Sequence, residues 1–295
     1  MSRLLRCYPP AWRKRYGAEL LAVLEAEAEG GRLPWRAKVN VVSAGLAQRV
    51  RSAGLAGDEL PPESRVRAGV LLVLSAWAAF VVAGLAFAKT AEHWQAVTPR
   101  RDQGLAAVAY DAVVLAAGLG SLAVLAGILL AARPLVAFMQ AGGWRQIRRP
   151  VLRALASSGA TAAALSAVVT FWARHLTAAQ RNGGDRLYMY VFLLVAAGIA
   201  GSIALWTQAA VVTAWRLALA RATLRGETFL AGGVTLTMGA MTVAATTWWV
   251  AVAAAAPAFF GSALPLRLLG LTLAMVVATA LASAGTVRAV RAASA

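Results

Sequence analysis

Few residues of this 295-residue chain are of a type that does chemistry, and they lie far apart in the sequence. They are two histidines, His93 and His175, one cysteine, Cys7, and one acidic residue, Asp111, at the edge of an apolar stretch. An ionisable side chain in a membrane span is a default candidate for ion coupling or a proton relay. The histidine spacing matches no metal motif, and one cysteine supports neither an intramolecular disulfide nor a cysteine metal cluster. We expect no catalytic, metal or cofactor site, and we take Asp111 and Gln208 as a candidate membrane-embedded polar site.

The motifs of the common enzyme classes are absent from the sequence. There is no G-x-x-x-x-G-K-[ST], so the chain has no nucleotide-binding P-loop of its own. There is also no H-E-x-x-H and no G-x-S-x-G with acid and histidine partners. With only two histidines, acid–base catalysis would have few groups to use. The sequence therefore predicts a protein that is not an enzyme.

The composition is that of a membrane protein with an excess of basic charge. Hydrophobic residues make up 60% of the chain and charged residues 14%, and the mean hydropathy is +0.66. A soluble domain carries about a quarter charged residues. The net charge of +17 lies mainly between apolar stretches, which favours anionic lipid headgroups over nucleic acid as the partner. We expect no nucleic-acid binding.

Six apolar stretches follow a short charged N-terminal segment. The first, residues 68–88, holds 21 residues without a charge, enough to cross a bilayer as a helix. It is expected to act as both signal and anchor. The sequence predicts an all-α polytopic membrane domain over residues 68–287, with about six transmembrane helices at 68–88, 110–132, 154–174, 188–214, 229–256 and 266–287.

The basic residues are distributed unevenly between the two sides that these six spans define. One side carries 22 Lys and Arg residues and the other carries seven. Because Lys and Arg accumulate on the cytoplasmic side, both termini are expected in the cytosol. The chain then has a cytosolic head over residues 1–52, a linker over 53–67 and a cytosolic tail over 288–295.

The head is predicted to be a small helical hairpin. Pro9 and Pro10 suit a helix start, where a missing N–H is tolerated. Helical spacing predicts two apolar stripes that would face one another. They are Trp12, Tyr16, Leu20, Val23 and Leu24 in the first helix, and Trp35, Val39, Val42, Leu46 and Val50 in the second.

The first helix of the head carries a recognisable motif, YPPAWRKRYGAELL, starting at Tyr8. This segment resembles the YP-x-x-WR-x-RYG-x-E-L-L opening of many bacterial, mostly actinobacterial, membrane proteins, and is similar to the "permease prefix" ahead of some ABC-type permeases. The resemblance covers about the first 55 residues. It implies a cytosolic head on a multi-pass protein of the bacterial inner membrane. We take as a candidate partner-docking head Trp12, Arg13, Arg15, Tyr16 and Glu19.

The connection at residues 133–153 combines basic and apolar side chains, as an interfacial helix does. The candidate lipid-headgroup contacts are Arg145, Arg148, Arg149 and Arg153.

The fifth span has a threonine-rich face that either packs a bundle or lines a path: Thr235, Thr237, Thr242, Thr246 and Thr247. Residues near Tyr110 and Tyr190 are similar at an offset of 80, which raises the alternative of a duplicated hairpin, a plan found in transporters.

Two functions remain open at this stage. One is a non-enzymatic membrane protein, a regulatory, scaffolding or accessory subunit whose head, residues 1–52, engages a cytosolic partner. The alternative is a small permease or an ABC-type permease subunit without its own ATPase. The second rests on the prefix resemblance, Asp111, the threonine face and the repeat.

Overall fold

The computed structural model describes residues 4–28, 33–52, 61–91, 104–177, 186–217, 219–255 and 264–294. Most of these residues are helical and none of them lies in a strand, which confirms the all-α class. The α-helices are α1 (Pro10–Ala26), α2 (Trp35–Ser52), α3 (Pro62–Ala91), α4 (Gly104–Phe138), α5 (Trp144–Ala167), α6 (Arg186–Ala214), α7 (Arg221–Ala255) and α8 (Leu264–Ala293). Short 3-10 segments, Leu4–Cys7 and Ala173–His175, and π-helical segments, Met139–Gly143 and Val168–Trp172, join or extend them.

Helices α3 to α8 are long enough to cross a membrane. Five continuous stretches of the described residues are sufficiently long and apolar, and the longest, Gly104–Trp172, has 69 residues. At 1.5 Å per residue a straight helix of that length would measure about 100 Å, far more than a bilayer core. It is instead divided into α4 and α5 at Gly142, whose φ of 80° only glycine adopts readily. The division gives six long helices within five candidate membrane-spanning stretches, and the six crossings stay a prediction.

The predicted connection at residues 133–153 is almost entirely helical, with one break at Gly142. Helix α4 continues to Phe138 and α5 begins at Trp144, so only Met139–Gly143 lies between them. Pro134 and Pro150 are accommodated inside helices rather than ending them. Hydropathy places a boundary at the first charges, whereas the backbone stays helical until a residue with positive φ turns it.

Four helices, α3, α4, α7 and α8, form a closely packed group that we call the four-helix block. Helix α3 packs on α8, α4 packs on α7, and α7 also contacts α3 and α8. The core of the block includes Phe80 and Phe87 of α3 and Trp248 of α7, all at most 1% exposed. The Phe87 and Trp248 rings meet edge to face at 5.2 Å. Helix α7 continues to Ala255 beyond Trp248, and the Trp248 ring is fully buried in this core.

Helices α3 and α8 touch through their backbones where they cross. A Cβ atom added to Gly69 would lie 2.5 Å from the carbonyl oxygen of Gly285, and one added to Gly285 would lie 2.8 Å from that of Gly69. Small residues at a crossing let membrane helices approach closely and gain van der Waals contact. The threonines of α7 add hydrogen bonds to α8: Thr235 Oγ1 lies 2.7 Å from Thr286 Oγ1, and Thr242 Oγ1 lies 3.0 Å from Thr279 Oγ1.

The remaining pair, α5 and α6, is the α5–α6 hairpin, whose two helices pack mainly on each other. Hydroxyl groups join them, with Ser157 Oγ 2.8 Å from Ser202 Oγ and Trp206 Nε1 donating to Ser158 Oγ at 3.0 Å. The hairpin reaches the block chiefly through α6 and α3. Helices α3 and α4 pack on different partners, so the two halves of the repeat suggested by the sequence are not packed alike.

The head has its own small core, built on a different face of α2 from the predicted stripe. Its buried residues are Tyr8, Leu24, Leu33, Ala37 and Val41. Trp35 and Val39 of the predicted stripe are 76% and 41% exposed. The cause is Gly45, where an added Cβ would lie 2.8 Å from Cys7 Cβ and 3.0 Å from the Tyr8 ring. The N-terminal turn can approach α2 only over this small-residue face.

Candidate functional site

A cavity of about 490 Å³ lies between the α5–α6 hairpin and the four-helix block. Helices α3, α4, α5, α6 and α7 all contribute to its wall, near the ends where α3 and α7 begin. Its lining is almost entirely apolar, with side chains such as Val73, Leu74, Val124, Ile147, Leu230 and Val234. Two charged side chains also reach it, Arg67 from α3 and Glu227 from α7. Concave, mainly apolar cavities with a few polar groups, of about 300–1,000 Å³, are typical ligand sites.

Glu227 was missed in the sequence, where Asp111 was considered the only acidic residue at a span. The expected span started at residue 229, but α7 begins at Arg221 and includes Glu227 in its second turn. The signal was present in the spacing: Leu224, Glu227, Leu230 and Ala231 recur at helical intervals and all line the cavity. Hydropathy alone excludes such a residue, because it ends a span at the first charge.

Gly127 of α4 leaves the space that the Glu227 side chain occupies. A Cβ atom added to Gly127 would lie 3.1 Å from Glu227 Oε2. Glu227 is half-buried, and within the part of the chain that the structure describes no side chain forms an ion pair or hydrogen bond with it. A carboxylate at an apolar wall is costly unless a cation or a donor pairs with it.

Arg67, by contrast, is already engaged by the end of α6. Its Nη1 donates to the carbonyl oxygen of Trp215 at 3.4 Å, and its guanidinium carbon lies 5.8 Å from the Trp215 ring centroid. Trp215 follows directly after α6, where backbone carbonyls lack helical partners. The contact combines a hydrogen bond with a cation–π interaction and fixes the end of α6 against α3.

A second arginine fixes the same end of α6 to α5. Pro150 has no N–H, so the carbonyl of Gln146, four residues earlier in α5, has no helical donor. The Arg216 guanidinium donates to that Gln146 oxygen. The proline and the arginine therefore complement one another, and the contact joins the end of α6 to α5.

The predicted polar site is not assembled. Asp111 lies exposed near the beginning of α4, and Gln208 is exposed on α6, a helix that packs mainly on α5 and α3. Neither residue lines the cavity. His175 is exposed, and His93 lies outside the described residues. No group of three or more His, Cys, Asp and Glu side chains suited to a metal occurs in the described ranges.

The four candidate headgroup contacts lie together on one face of α5. Arg145, Arg148, Arg149 and Arg153 are all exposed, within its first three turns. The opposite face buries Ile147 and Ala154. This separation of basic and apolar faces is the arrangement of a helix end at a membrane surface.

Two of the candidate docking residues, Trp12 and Tyr16, continue a row of aromatic rings that starts at Tyr8, just before α1; we call this row the aromatic ladder. The Tyr8 and Trp12 rings stack at 4.1 Å, Trp12 and Tyr16 follow at 5.4 Å, and the Arg15 guanidinium lies 5.2 Å from the Tyr16 ring centroid. Burial raises the pKa of the Tyr8 hydroxyl above its ordinary value. Arg15, Tyr16 and Glu19 are exposed, and Trp12 and Arg13 are half-buried. The ladder thus presents its outer end to solvent.

Comparison with known proteins gives no independent indication of function. No protein-family model matches the chain, and neither a curated protein nor a solved structure is significantly similar to it. The chemistry of the site therefore rests on its own geometry: a mainly apolar space whose wall carries the carboxyl group of Glu227 and the guanidinium of Arg67.

Proposed function

We propose that this chain is a non-enzymatic integral protein of the bacterial inner membrane, with both termini in the cytosol. In this proposal it is a regulatory, scaffolding or accessory subunit, and its head engages a cytosolic protein. The observation that carries the proposal is the exposed apolar surface of the head. Trp35 is 76% exposed, Val23 59% and Val39 41%, although none of them belongs to a candidate membrane span.

The chemistry around Trp35 indicates what such a partner would offer. Trp35 and Val39 are one helical turn apart on α2, and Arg36 and Lys38 are exposed between them. Tryptophan and arginine are the residues that most often dominate the binding energy of protein interfaces. The partner surface should therefore present an apolar pocket surrounded by acidic side chains.

The test places a photocrosslinking amino acid at Val39, and at Asn40 as the control, in the full-length protein in its native membrane. Asn40 is also exposed but lies about 100° around the helix. We expect one soluble protein to be captured from position 39 and not from position 40, and Trp35→Ala to abolish the capture. Equal products from both positions, or none from position 39, would exclude this surface as the docking site.

The cytosolic placement of the head has a natural reporter in Cys7, the only cysteine of the chain. A membrane-impermeant maleimide should label it in inside-out vesicles and leave it unlabelled in right-side-out vesicles. A cysteine introduced at Ser294 in a Cys7→Ser background should behave in the same way. The reverse pattern would contradict the proposed orientation.

A second candidate function, a small permease or ABC-type permease subunit without its own ATPase, is favoured by the cavity. An ATPase that copurifies with the chain in a fixed ratio, and whose hydrolysis rate the chain changes, would support this function. If the proteins that copurify with the chain all lack nucleotide-binding motifs, the result would favour the accessory subunit instead.

A further inference from the structure

The cavity wall carries one carboxyl group, that of Glu227, with which no cation or donor among the described residues pairs. Arg67, the other charged residue of the wall, donates from Nη1 to the Trp215 carbonyl and lies against the Trp215 ring, and it forms no ion pair with Glu227; its buried Nε has no hydrogen-bond partner among the described residues. The rest of the wall is almost entirely apolar, and the Thr213 hydroxyl donates to the Ala209 carbonyl within α6. A ligand complementary to this cavity has a cationic or hydrogen-bond donor group beside Glu227 and hydrocarbon against the rest of the wall.

The position of Glu227 along the bundle sets the orientation of such an occupant. At 1.5 Å per residue, Glu227 lies about 9 Å from the start of α7, and the lining continues for about another 10 Å to Val234. Val73 and Leu74 of α3 and Val124 of α4 line the same deeper portion. A hydrocarbon chain therefore fits on the far side of Glu227 from the basic helix ends, with its polar group at the carboxylate.

Gly127 makes this arrangement specific for a compact polar group. Any side chain at position 127 would meet Glu227 Oε2, where a Cβ would already lie 3.1 Å away. The glycine leaves the carboxylate accessible from the cavity. A primary ammonium is small, carries three donors and can pair with the Glu227 carboxylate, which a headgroup without a cationic donor cannot do as well.

We propose that this cavity binds an amphiphile with a primary ammonium group, which pairs with Glu227, and with a hydrocarbon chain that fills the apolar wall toward Val234. The inference concerns a binding site and stands whether the protein is an accessory subunit or a permease. Two sources share this chemistry: an aminophospholipid of the surrounding bilayer and a free alkylammonium.

The test uses native mass spectrometry on the purified full-length protein with added phosphatidylethanolamine or phosphatidylglycerol of identical acyl chains. We expect the wild type to retain phosphatidylethanolamine at least about tenfold better, as for a charge-assisted hydrogen bond. Glu227→Gln should remove this preference. Glu63→Gln is the matched control, because Glu63 pairs with Arg221 at 2.9 Å outside the cavity and should leave the preference intact.

A second variant keeps the proposal testable independently of the charge. Gly127→Leu should displace the Glu227 carboxylate from its position against Gly127 and thereby weaken the binding of the amphiphile, and an unchanged melting temperature would show that the bundle still folds. Retained binding in a folded Gly127→Leu protein would overturn the proposal. The proposal would also be overturned if the wild type retained the two lipids equally and if its binding of dodecylammonium did not depend on Glu227.

The source of the ligand follows from the same samples. Phosphatidylethanolamine that copurifies from cells with the wild type but not with Glu227→Gln identifies the bilayer lipid as the occupant. Glu227-dependent binding of added dodecylammonium without copurified lipid identifies a free amphiphile. Binding of dodecylammonium that is unchanged in Glu227→Gln would contradict the proposed site.

Discussion

The four-helix block and the α5–α6 hairpin are built from similarly apolar sequence but are held together in different ways. In the most hydrophobic window of α3, 39% of residues are buried, against 12% in that of α6. The block buries aromatic rings and brings the backbones of α3 and α8 into contact at Gly69 and Gly285. The hairpin relies on serine and threonine hydroxyls between its two helices.

This difference explains where the cavity is found. Lipid tails are as apolar as leucine, so membrane helices associate through close packing and hydrogen bonds rather than through hydrophobicity. The block achieves close packing internally, and so does the hairpin, but few side chains join one to the other. The space between them is the cavity, and at its end Arg67 of α3 joins the block to Trp215, the residue that follows α6.

The largest expected effect on the free energy of unfolding comes from a Phe→Ala substitution, which we compare between the block and the hairpin. Phe87→Ala removes a ring that is 1% exposed and packs on Trp248, and such a cavity in a core costs about 3–5 kcal/mol. Phe171→Ala, at the end of the hairpin, removes a ring that is 74% exposed and should cost below ~1 kcal/mol. Unfolding in mixed micelles, followed by tryptophan fluorescence, measures both. Equal losses would contradict the distinction between the two regions.

A smaller effect is expected from adding one methyl group. Gly69→Ala places a Cβ 2.5 Å from the Gly285 carbonyl oxygen and should destabilise the block by about 1–3 kcal/mol. Gly201→Ala in α6 meets no atom within 4 Å and should be neutral or stabilising by up to about 1 kcal/mol. The same unfolding assay compares the two variants. A tolerated Gly69→Ala would show that α3 and α8 do not approach as closely as described.

The smallest effect concerns the hydroxyl contacts of the hairpin. Ser202→Ala removes the contacts of Ser202 Oγ with Ser157 at 2.8 Å and Thr161 at 3.3 Å, and should cost about 1 kcal/mol, since such bonds average ~0.6 kcal/mol in membranes. The matched variant is Thr286→Val, which removes the contact of Thr286 with Thr235 in the block. It should lower the free energy of unfolding by about 0.6 kcal/mol. A loss above about 3 kcal/mol for Ser202→Ala would mean that the hairpin depends on this one residue.

The sequence predicted those features that depend on local composition. The long apolar helices follow from hydropathy, and the fold class is confirmed because apolar runs of about 20 residues have few alternatives in a bilayer. The break between α4 and α5 could not be located in advance, since nothing local distinguishes Gly142 from the neighbouring glycine.

Features that depend on packing could not be predicted in this way. The inner face of α2 was wrong because Gly45 and the N-terminal turn select it, although Trp35 and Val39 are the larger apolar residues. Glu227 was passed over for Asp111 because a charge at the edge of a span gives the same hydropathy signal whether it faces lipid, water or a cavity. The helical spacing of its apolar neighbours in α7 was the one sequence signal that distinguished Glu227. That signal can be interpreted only from the tertiary structure, in which Gly127 of α4 lies against Glu227.

The most direct test of the account is an experimental structure of the full-length protein in lipid nanodiscs that contain phosphatidylethanolamine. The account predicts an open space between the α5–α6 hairpin and the four-helix block. It also predicts an elongated density in that space, whose polar end lies within hydrogen-bonding distance of Glu227. A hairpin packed directly against α4 and α7, with Glu227 turned outward and no space beside Gly127, would contradict it.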